Sequence, residues 1–283
     1  MGMNMKRHLK KLINVTLEPF GLEIYRKTIH SRTSLRGSLE HAKNLGFYPS
    51  AIIDVGVATG TWDLYETFPK SRKILIEPLE EFEPHLNNVT NKYPNSEYII
   101  AAANKESGNV TINVHPDLVG SSLYLENEDS NVNGSPRIVA AITLDKICRE
   151  RKLNGPFLIK VDVQGAELDV LMGASHILGN TEYVVLEVSF FQFFTGGPQI
   201  SDVIIFMKER GFVVYEIFDY QYRLLDGSMS QVDIAFVKES GQFREFHFYA
   251  KKHQREVQNK MIIESLNNGV YPTADVAFIN FDL

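Results

Sequence analysis

The sequence AIIDVGVATG at residues 51–60 starts with an apolar run, reaches an acid at Asp54, and turns through Gly56 and Gly60. An apolar run that leads into a glycine turn is typical of a buried strand followed by a nucleotide-binding loop at the start of a helix. Gly56 has no side chain and lets the backbone approach a ligand closely, and Asp54 is placed to reach a ligand ammonium group. The stretch therefore predicts an α/β fold with a nucleotide site.

The spacing of this loop indicates which nucleotide binds. Dinucleotide-binding proteins carry G-x-G-x-x-G, whereas this loop reads D-x-G-x-x-x-G, with Ala58 at the middle small position. The spacing suits S-adenosylmethionine better than NAD. We therefore expect S-adenosylmethionine as the cofactor, bound by Asp54, Gly56 and Gly60, and the loop alone leaves NAD open as the alternative.

Apolar strands alternate with helices beyond the loop, which predicts a parallel sheet covered on both faces. The last two strands, over 212–219 and 231–239, are separated by eleven residues, which is too short for a crossover helix, so they should be antiparallel. We predict a mostly parallel, seven-stranded Rossmann-like sheet of the class I methyltransferase type, ending in an antiparallel hairpin. Further strands are predicted over 73–79, 97–103, 109–115, 157–163 and 183–189, helices over 5–17, 34–45, 79–92, 143–152, 166–178, 202–211 and 253–266, and a mobile loop over 126–137.

The chain length of 283 residues allows one large α/β domain with extensions. We expect an N-terminal helical extension over 1–45, a methyltransferase domain over 46–240 and a C-terminal helical tail over 241–283. The net charge of −6 gives no reason to expect nucleic-acid binding.

The sequence predicts neither a membrane span nor a secretion signal. No run reaches the roughly 18 apolar residues that a membrane span needs. The N-terminal apolar stretch is interrupted by Asn14, Glu18 and Pro19, which spoils a signal-peptide core. We therefore expect a cytoplasmic protein.

Two further positions fit a nucleoside. Glu77 ends the second predicted strand, 21 residues beyond Gly56, where an acid can accept both ribose hydroxyls. This position supports a nucleoside without distinguishing S-adenosylmethionine from NAD. Asn104 follows the third predicted strand and is a candidate for the adenine edge, although a tight turn explains it equally well.

Two carboxylates lie on neighbouring buried strands. Asp162 ends the strand in KVDVQGAELDVLMGA at residues 160–174 and should face the pocket above the sheet. Glu187 lies inside the apolar run VVLEVSF, and a carboxylate in such a strand needs a partner. Both could bind a metal or position a substrate hydroxyl, and Glu187 fits a hydrogen-bonded core carboxylate as well. No Cys/His spacing resembles a zinc site, so we assign no metal ligand.

Four sequence blocks carry a further signal, namely SLRGSLEHAKNLGF with the D-V-G loop, VGSSLYLE at 119–126, IKVDVQGAELDVLMGA, and VLEVSF followed by QVDIAFVK. Together these blocks resemble the FkbM family of S-adenosylmethionine-dependent methyltransferases. They cover roughly residues 34–239, in the order and spacing of the family. The departure lies in the loop, where the family usually has D-V-G-A-N-x-G and Val57 and Ala58 stand here; the missing amide removes one expected cofactor hydrogen bond.

This resemblance implies O-methylation of a hydroxyl on a small-molecule or glycan acceptor, such as a sugar, a polyketide or another natural product. Asp162 is then the first candidate for the base that deprotonates the acceptor, beside its place in the cofactor site, and His115 is the second. Ser121, Ser122 and Glu187 are expected to line the acceptor site. Two other functions fit the sequence less well, namely an NAD-dependent oxidoreductase and a non-catalytic nucleoside-binding module.

Overall fold

Ten strands and seven α-helices make up the described part of the chain, residues 32–128 and 131–269 of a computed structural model. The helix predicted over 5–17 lies outside these residues. The strands are β1 (Ala51–Val55), β2 (Arg72–Glu77), β3 (Ser96–Ile100), β4 (Ala102–Ala103), β5 (Gly108–Val114), β6 (Ser135–Ile142), β7 (Phe157–Val161), β8 (Thr181–Ser189), β9 (Phe212–Tyr222) and β10 (Met229–Lys238). The helices are α1 (Leu35–Asn44), α2 (Trp62–Thr67), α3 (Glu83–Lys92), α4 (Leu144–Glu150), α5 (Glu167–Met172), α6 (Ile200–Glu209) and α7 (Lys252–Asn267).

Seven of the strands form one sheet, in the order β3-β2-β1-β7-β8-β10-β9. The first five strands in this order run parallel, and β10 pairs antiparallel with both β8 and β9. The predicted architecture is thereby confirmed. The order of strands reverses between β1 and β7, and ligands of open α/β sheets bind outside the carboxyl ends of the strands at such a point.

Helices cover both faces of this sheet, which explains why its central strands β1, β7 and β8 are mostly apolar and buried. On one face, Ile53 and Val161 belong to a core cluster that includes Met207 of α6. On the other face, Ile52 belongs to a cluster with Leu39 of α1. Strand β1 is buried at all of its positions, so the loop that follows it is held on a rigid element.

A small second sheet, in the order β4-β6-β5, corrects two sequence predictions. The strand expected over 97–103 is divided, because Ala102–Ala103 leave the main sheet and pair parallel with β6. The last three residues of the polar stretch at 126–137 belong to β6, which pairs antiparallel with β5 from Ser135 to Ala141. The sequence did not reveal β6, because most of its side chains are exposed and its apolar residues do not alternate.

The compact unit that contains the main sheet spans Arg32–His247. Helix α1 belongs to it and buries Leu35, Leu39 and Ala42, so this unit starts before the boundary that we predicted at residue 46. The remaining described residues, 248–269, belong to a second unit with α7, in which no side chain is buried. No helix in the described ranges is both long and apolar enough to cross a membrane.

Lys73 is a fully buried cation in β2, and it makes the stability of the fold depend on pH. Its ammonium donates hydrogen bonds to the carbonyl oxygens of Phe68, Pro69 and Ser71 at 3.0–3.2 Å. Burial lowers the pKa of Lys73 from 10.5 to about 8. Between these two pH values the unfolded chain binds the proton and the folded chain does not, so the free energy of unfolding should rise with pH.

We expect urea unfolding to show this rise between about pH 8 and about pH 10. Lys73→Met should cost about 1–3 kcal/mol, because three buried carbonyls lose a donor, and it should remove the part of the rise that Lys73 contributes. Lys208→Met, at an exposed lysine of α6, is the matched control and should keep the whole rise. An equal pH dependence in the Lys73→Met variant and the wild type would contradict this assignment.

Candidate functional site

A cavity of about 600 Å³ lies at the carboxyl edge of the main sheet. Its walls come from the loop after β1, the end of β2, the segment after β7, and strands β8, β9 and β10. The volume falls within the roughly 300–1,000 Å³ of small-molecule sites. The cavity therefore occupies the place that the reversal of strand order predicts.

The glycine loop forms one wall of the cavity. Gly56 has a φ of +76°, and a Cβ at this position would lie 1.7 Å from the carbonyl oxygen of Asp162. Only glycine fits such an approach of two backbones. Gly60, at a φ of +106°, closes the loop beside the indole of Trp62. The loop thus packs against the end of β7 and brings Asp162 into the same cavity.

Glu77 fixes the loop from the neighbouring strand. Its carboxylate, in a side chain that is 3% exposed, accepts hydrogen bonds from the backbone N–H groups of Ala58 at 2.9 Å and Leu79 at 3.0 Å. Burial raises the pKa of Glu77, and the two backbone hydrogen bonds oppose this shift. Because each carboxylate oxygen accepts more than one hydrogen bond, capacity remains for ligand hydroxyls.

Apolar side chains surround this end of the cavity. Phe82 and Ile112 pack in one cluster with Ala58, Leu118 and Leu123, and all five residues line the cavity. An apolar wall next to a buried carboxylate is the environment that an adenosine needs, since its base is flat and its ribose carries hydroxyls.

At the other end of the cavity, Lys160 is a buried cation among carboxylates. It lies in β7, is 7% exposed, and donates a hydrogen bond to Asp162 Oδ2 at 2.9 Å. Burial opposes its charge, but the carboxylates of Asp162, Asp54 and Asp233 outweigh burial and raise the pKa of Lys160. Lys160 therefore stays protonated and supplies the positive charge that these carboxylates need.

Glu187 is held by three amides in the same region. Its carboxylate accepts hydrogen bonds from Nε2 of Gln164 at 3.0 Å, and from Nε2 of Gln221 and Gln231 at 2.8 Å each. Burial, together with the nearby charges of Asp162 and Asp233, raises the pKa of Glu187. Glu187 thus lines the cavity and is at the same time a fully hydrogen-bonded carboxylate.

Backbone strain is concentrated around the cavity. Within the described ranges, five residues other than glycine have a positive φ, and four of them line the cavity. A residue in this conformation costs about 1–3 kcal/mol and is typical of functional sites. The four residues are Ala58 (φ +44°), Leu118 (φ +68°), Gln164 (φ +54°) and Asp219 (φ +50°).

The cavity brings together most of the residues that the sequence predicted. Ser121 donates to the carbonyl oxygen of Leu118 and Ser122 to that of Gln164, each at 2.6 Å, so both hydroxyls shape the wall. The predicted residues in the lining are Gly56, Gly60, Glu77, Ser121, Ser122, Asp162 and Glu187.

Three predicted residues do not line the cavity. Asp54 is fully buried inside the sheet, where it accepts a hydrogen bond from the Tyr65 hydroxyl. The side chain of Asn104 accepts the N–H of Lys105 at 2.8 Å, so it closes a tight turn. His115 pairs through Nδ1 with Asp117 at 2.6 Å in the loop after β5. The roles that the sequence suggested for Asp54, Asn104 and His115 therefore stay predictions, with all three residues outside the cavity lining.

Sequence reasoning missed Lys160, Asp219, Gln221 and Asp233, which all line the cavity. Lys160 and Asp233 lie inside the apolar runs FLIKV and VDIAFV. The need of a buried charge for a partner, which drew attention to Glu187, could have identified both. Asp219 and Gln221 carried no such signal, because the register of the terminal hairpin decides which residues reach the cavity.

The family model of the methyltransferase FkbM domain matches residues 54–214. This chain belongs to the FkbM methyltransferase family, and the resemblance inferred from the sequence is confirmed. No curated protein matches the chain significantly.

Several solved structures, two of them named as methyltransferases, are similar to this chain at low identity. The precorrin-6y C5,15-methyltransferase of Geobacter metallireducens is 10% identical over 76% of this chain and 93% of that chain, with a TM-score of 0.39. The magnesium protoporphyrin IX methyltransferase of Synechocystis, with bound S-adenosylmethionine, is 10% identical over 81% and 96%, with a TM-score of 0.42. The fibrillarin of Aeropyrum pernix is 14% identical over 71% and 74%, with a TM-score of 0.38.

Membership of this family makes the protein an S-adenosylmethionine-dependent methyltransferase, with S-adenosylmethionine as its cofactor. The predictions of enzyme class and cofactor are thereby confirmed. The family assignment excludes an NAD-dependent oxidoreductase.

We expect Glu77→Gln to weaken the binding of S-adenosylhomocysteine by about 10–100-fold in calorimetric titrations. The variant loses one charged acceptor for the ribose, and a hydrogen bond to a charged group contributes about 1.5–3 kcal/mol. Glu209→Gln, at an exposed carboxylate at the end of α6, is the matched control and should bind as the wild type does. Unchanged affinity in the Glu77→Gln variant would show that this carboxylate only fixes the conformation of the loop and does not contact the ribose.

The departure of the loop from the family pattern can be tested at Ala58. Asparagine adopts a left-handed backbone more easily than alanine, for which this conformation costs about 1–2 kcal/mol. Ala58→Asn should therefore raise the melting temperature by about 2–4 °C. Ala58→Gly also relieves the strain but carries no amide, so only Ala58→Asn should bind S-adenosylhomocysteine more tightly. A melting temperature that does not rise in either Ala58→Asn or Ala58→Gly would contradict the role of strain.

Proposed function

We propose that this enzyme methylates a hydroxyl group of a sugar, a glycan, a polyketide or another small natural product. The observation that carries the proposal is the polar end of the cavity, where carboxylates and glutamine amides lie side by side. A hydroxyl both donates and accepts hydrogen bonds, so a wall of acceptors and donors suits it. The lining residues at this end are Asp162, Gln164, Glu187, Asp219, Gln221 and Asp233.

In this proposal, the opposite end of the cavity holds the cofactor. Gly56 and Gly60 would lie against it through their backbone, and Glu77 would accept its ribose hydroxyls. The apolar wall around Phe82 would bury its adenine. When bound, S-adenosylmethionine supplies a methyl group already activated by a sulfonium, so the main task of the protein is to orient the acceptor.

The charges of the cavity favour a neutral acceptor over an anionic one. Lys160 is the only cation among the lining residues that the structure describes, and it already bonds to Asp162. A phosphate or carboxylate on the acceptor would face several carboxylates without a free cation. Nucleic acids need cationic side chains along their backbone, so this lining also favours a small-molecule or glycan acceptor.

Asp162 occupies the junction between the two ends. Its Oδ2 accepts a hydrogen bond from Lys160, and its Oδ1 accepts one from Nε2 of Gln164 at 3.2 Å. We infer that Asp162 orders these two side chains beside the glycine loop. Each of its oxygens already accepts one hydrogen bond from the protein, so fewer of its lone pairs remain for an acceptor hydroxyl than the sequence suggested.

The test is methyl transfer from S-adenosylmethionine with a labelled methyl group to a cell extract separated into small-molecule, glycan and nucleic-acid fractions. We expect label in the small-molecule or glycan fraction, held in a bond that resists mild alkali. An ether has this stability, whereas a methyl ester is hydrolysed. The Glu77→Gln variant is the control for cofactor-dependent transfer. Label confined to nucleic acid, to nitrogen or to alkali-labile esters would overturn the proposal.

A further inference from the structure

Asp233 is a cavity-lining carboxylate without a hydrogen-bond partner among the described residues. It lies in β10, directly opposite Glu187 of β8 in the antiparallel ladder. No side chain or backbone N–H of the described ranges donates to it, whereas the other carboxylates at this end of the cavity are all held. Its oxygens are therefore the ones that remain available to a ligand.

The neighbouring carboxylates all accept hydrogen bonds from the protein. Asp162 is bonded to Lys160 and Gln164, and Glu187 accepts from three glutamine amides. Asp219 accepts the backbone N–H of Leu35 at 2.9 Å. These groups therefore have fewer free lone pairs than Asp233 for the hydroxyl of an acceptor.

The charges around Asp233 come from three strands. Lys160 and Asp162 face it from β7 and its end, Glu187 from β8, and Asp219 from β9. Burial raises the pKa of Asp233 to about 7; Lys160 opposes the shift, and Asp162 and Asp219 add to it. A carboxyl group that titrates near neutral pH takes a proton from an acceptor more effectively than one of ordinary acidity.

We propose that Asp233 is the catalytic base of the methyl transfer. The inference rests on the proposed function, because it requires a hydroxyl acceptor. An oxygen of the Asp233 carboxylate takes the hydroxyl proton while the acceptor oxygen forms its bond to the methyl carbon. The bond from that carbon to the donor sulfur breaks, and its electron pair stays on sulfur. Asp233 ends the step protonated and releases the proton to solvent.

The first test compares Asp233→Asn, Asp233→Glu and the control Glu209→Gln, using the labelled fraction from the extract assay as acceptor. Asp233→Asn should lower kcat by about 10²–10⁴-fold and leave the affinity for S-adenosylhomocysteine within about twofold. In the wild type, kcat should rise with pH through about 7, and this rise should be absent in Asp233→Asn. Asp233→Glu should restore part of the rate. A kcat within about threefold of the wild type, or an unchanged pH profile, would overturn the proposal.

The second test needs no acceptor, so it separates this inference from the proposed function. Infrared spectra of protein labelled with ¹³C-carboxyl aspartate are recorded between about pH 5 and about pH 9, and the spectra of Asp233→Asn are subtracted. A carboxyl signal that disappears near pH 7 supports Asp233 as the base. A group that stays ionised at about pH 5 overturns it, even if the extract assay succeeds. If no fraction takes up label, the proposed function fails, and the role of Asp233 that rests on it fails with it.

Discussion

The buried ion pair between Lys160 and Asp162 is the interaction on which the site depends. Burying a charge is costly unless partners compensate it, and Lys160 lies inside an apolar strand at the centre of the sheet. Its ammonium bonds to Asp162 and faces Asp54 and Asp233. Without this cation, three carboxylates would repel one another in a region of low dielectric constant. The positive charge of Lys160 thereby compensates the carboxylates that cluster at the carboxyl edge of the sheet.

The carboxylates around this pair differ in their hydrogen bonds. The described part of the protein donates hydrogen bonds to all of them except Asp233. Asp162 is fixed by Lys160 and Gln164, and Glu187 by its glutamines. Fixed groups of this kind give a ligand a rigid surface, and rigidity is what alignment of two reactants requires. Asp233 shares the electrostatic environment without sharing the hydrogen bonds. These carboxylates have the same chemistry, and their different roles thus follow from their different hydrogen-bond partners.

The sequence predicted the main sheet well, because parallel strands buried on both faces are apolar along their whole length. It failed for β6, whose exposed side chains carry no such pattern. In the site, Gly56, Glu77 and Asp162 could be predicted, since each follows directly from a strand end. The positions of Asn104 and His115 depend on local turns, and Asp54 points into the core. Spacing along the chain does not reveal such side-chain directions.

The terminal hairpin explains how the polar end of the cavity is assembled. Because β10 runs antiparallel to β8, the start of β10 lies beside the end of β8, and the end of β9 reaches the same edge. Asp233 therefore lies beside Glu187, and Gln221 of β9 donates a hydrogen bond to Glu187. The hairpin thus brings the end of β9 and the start of β10 to this edge, and both strands supply side chains to the cavity lining, namely Asp219, Gln221 and Asp233.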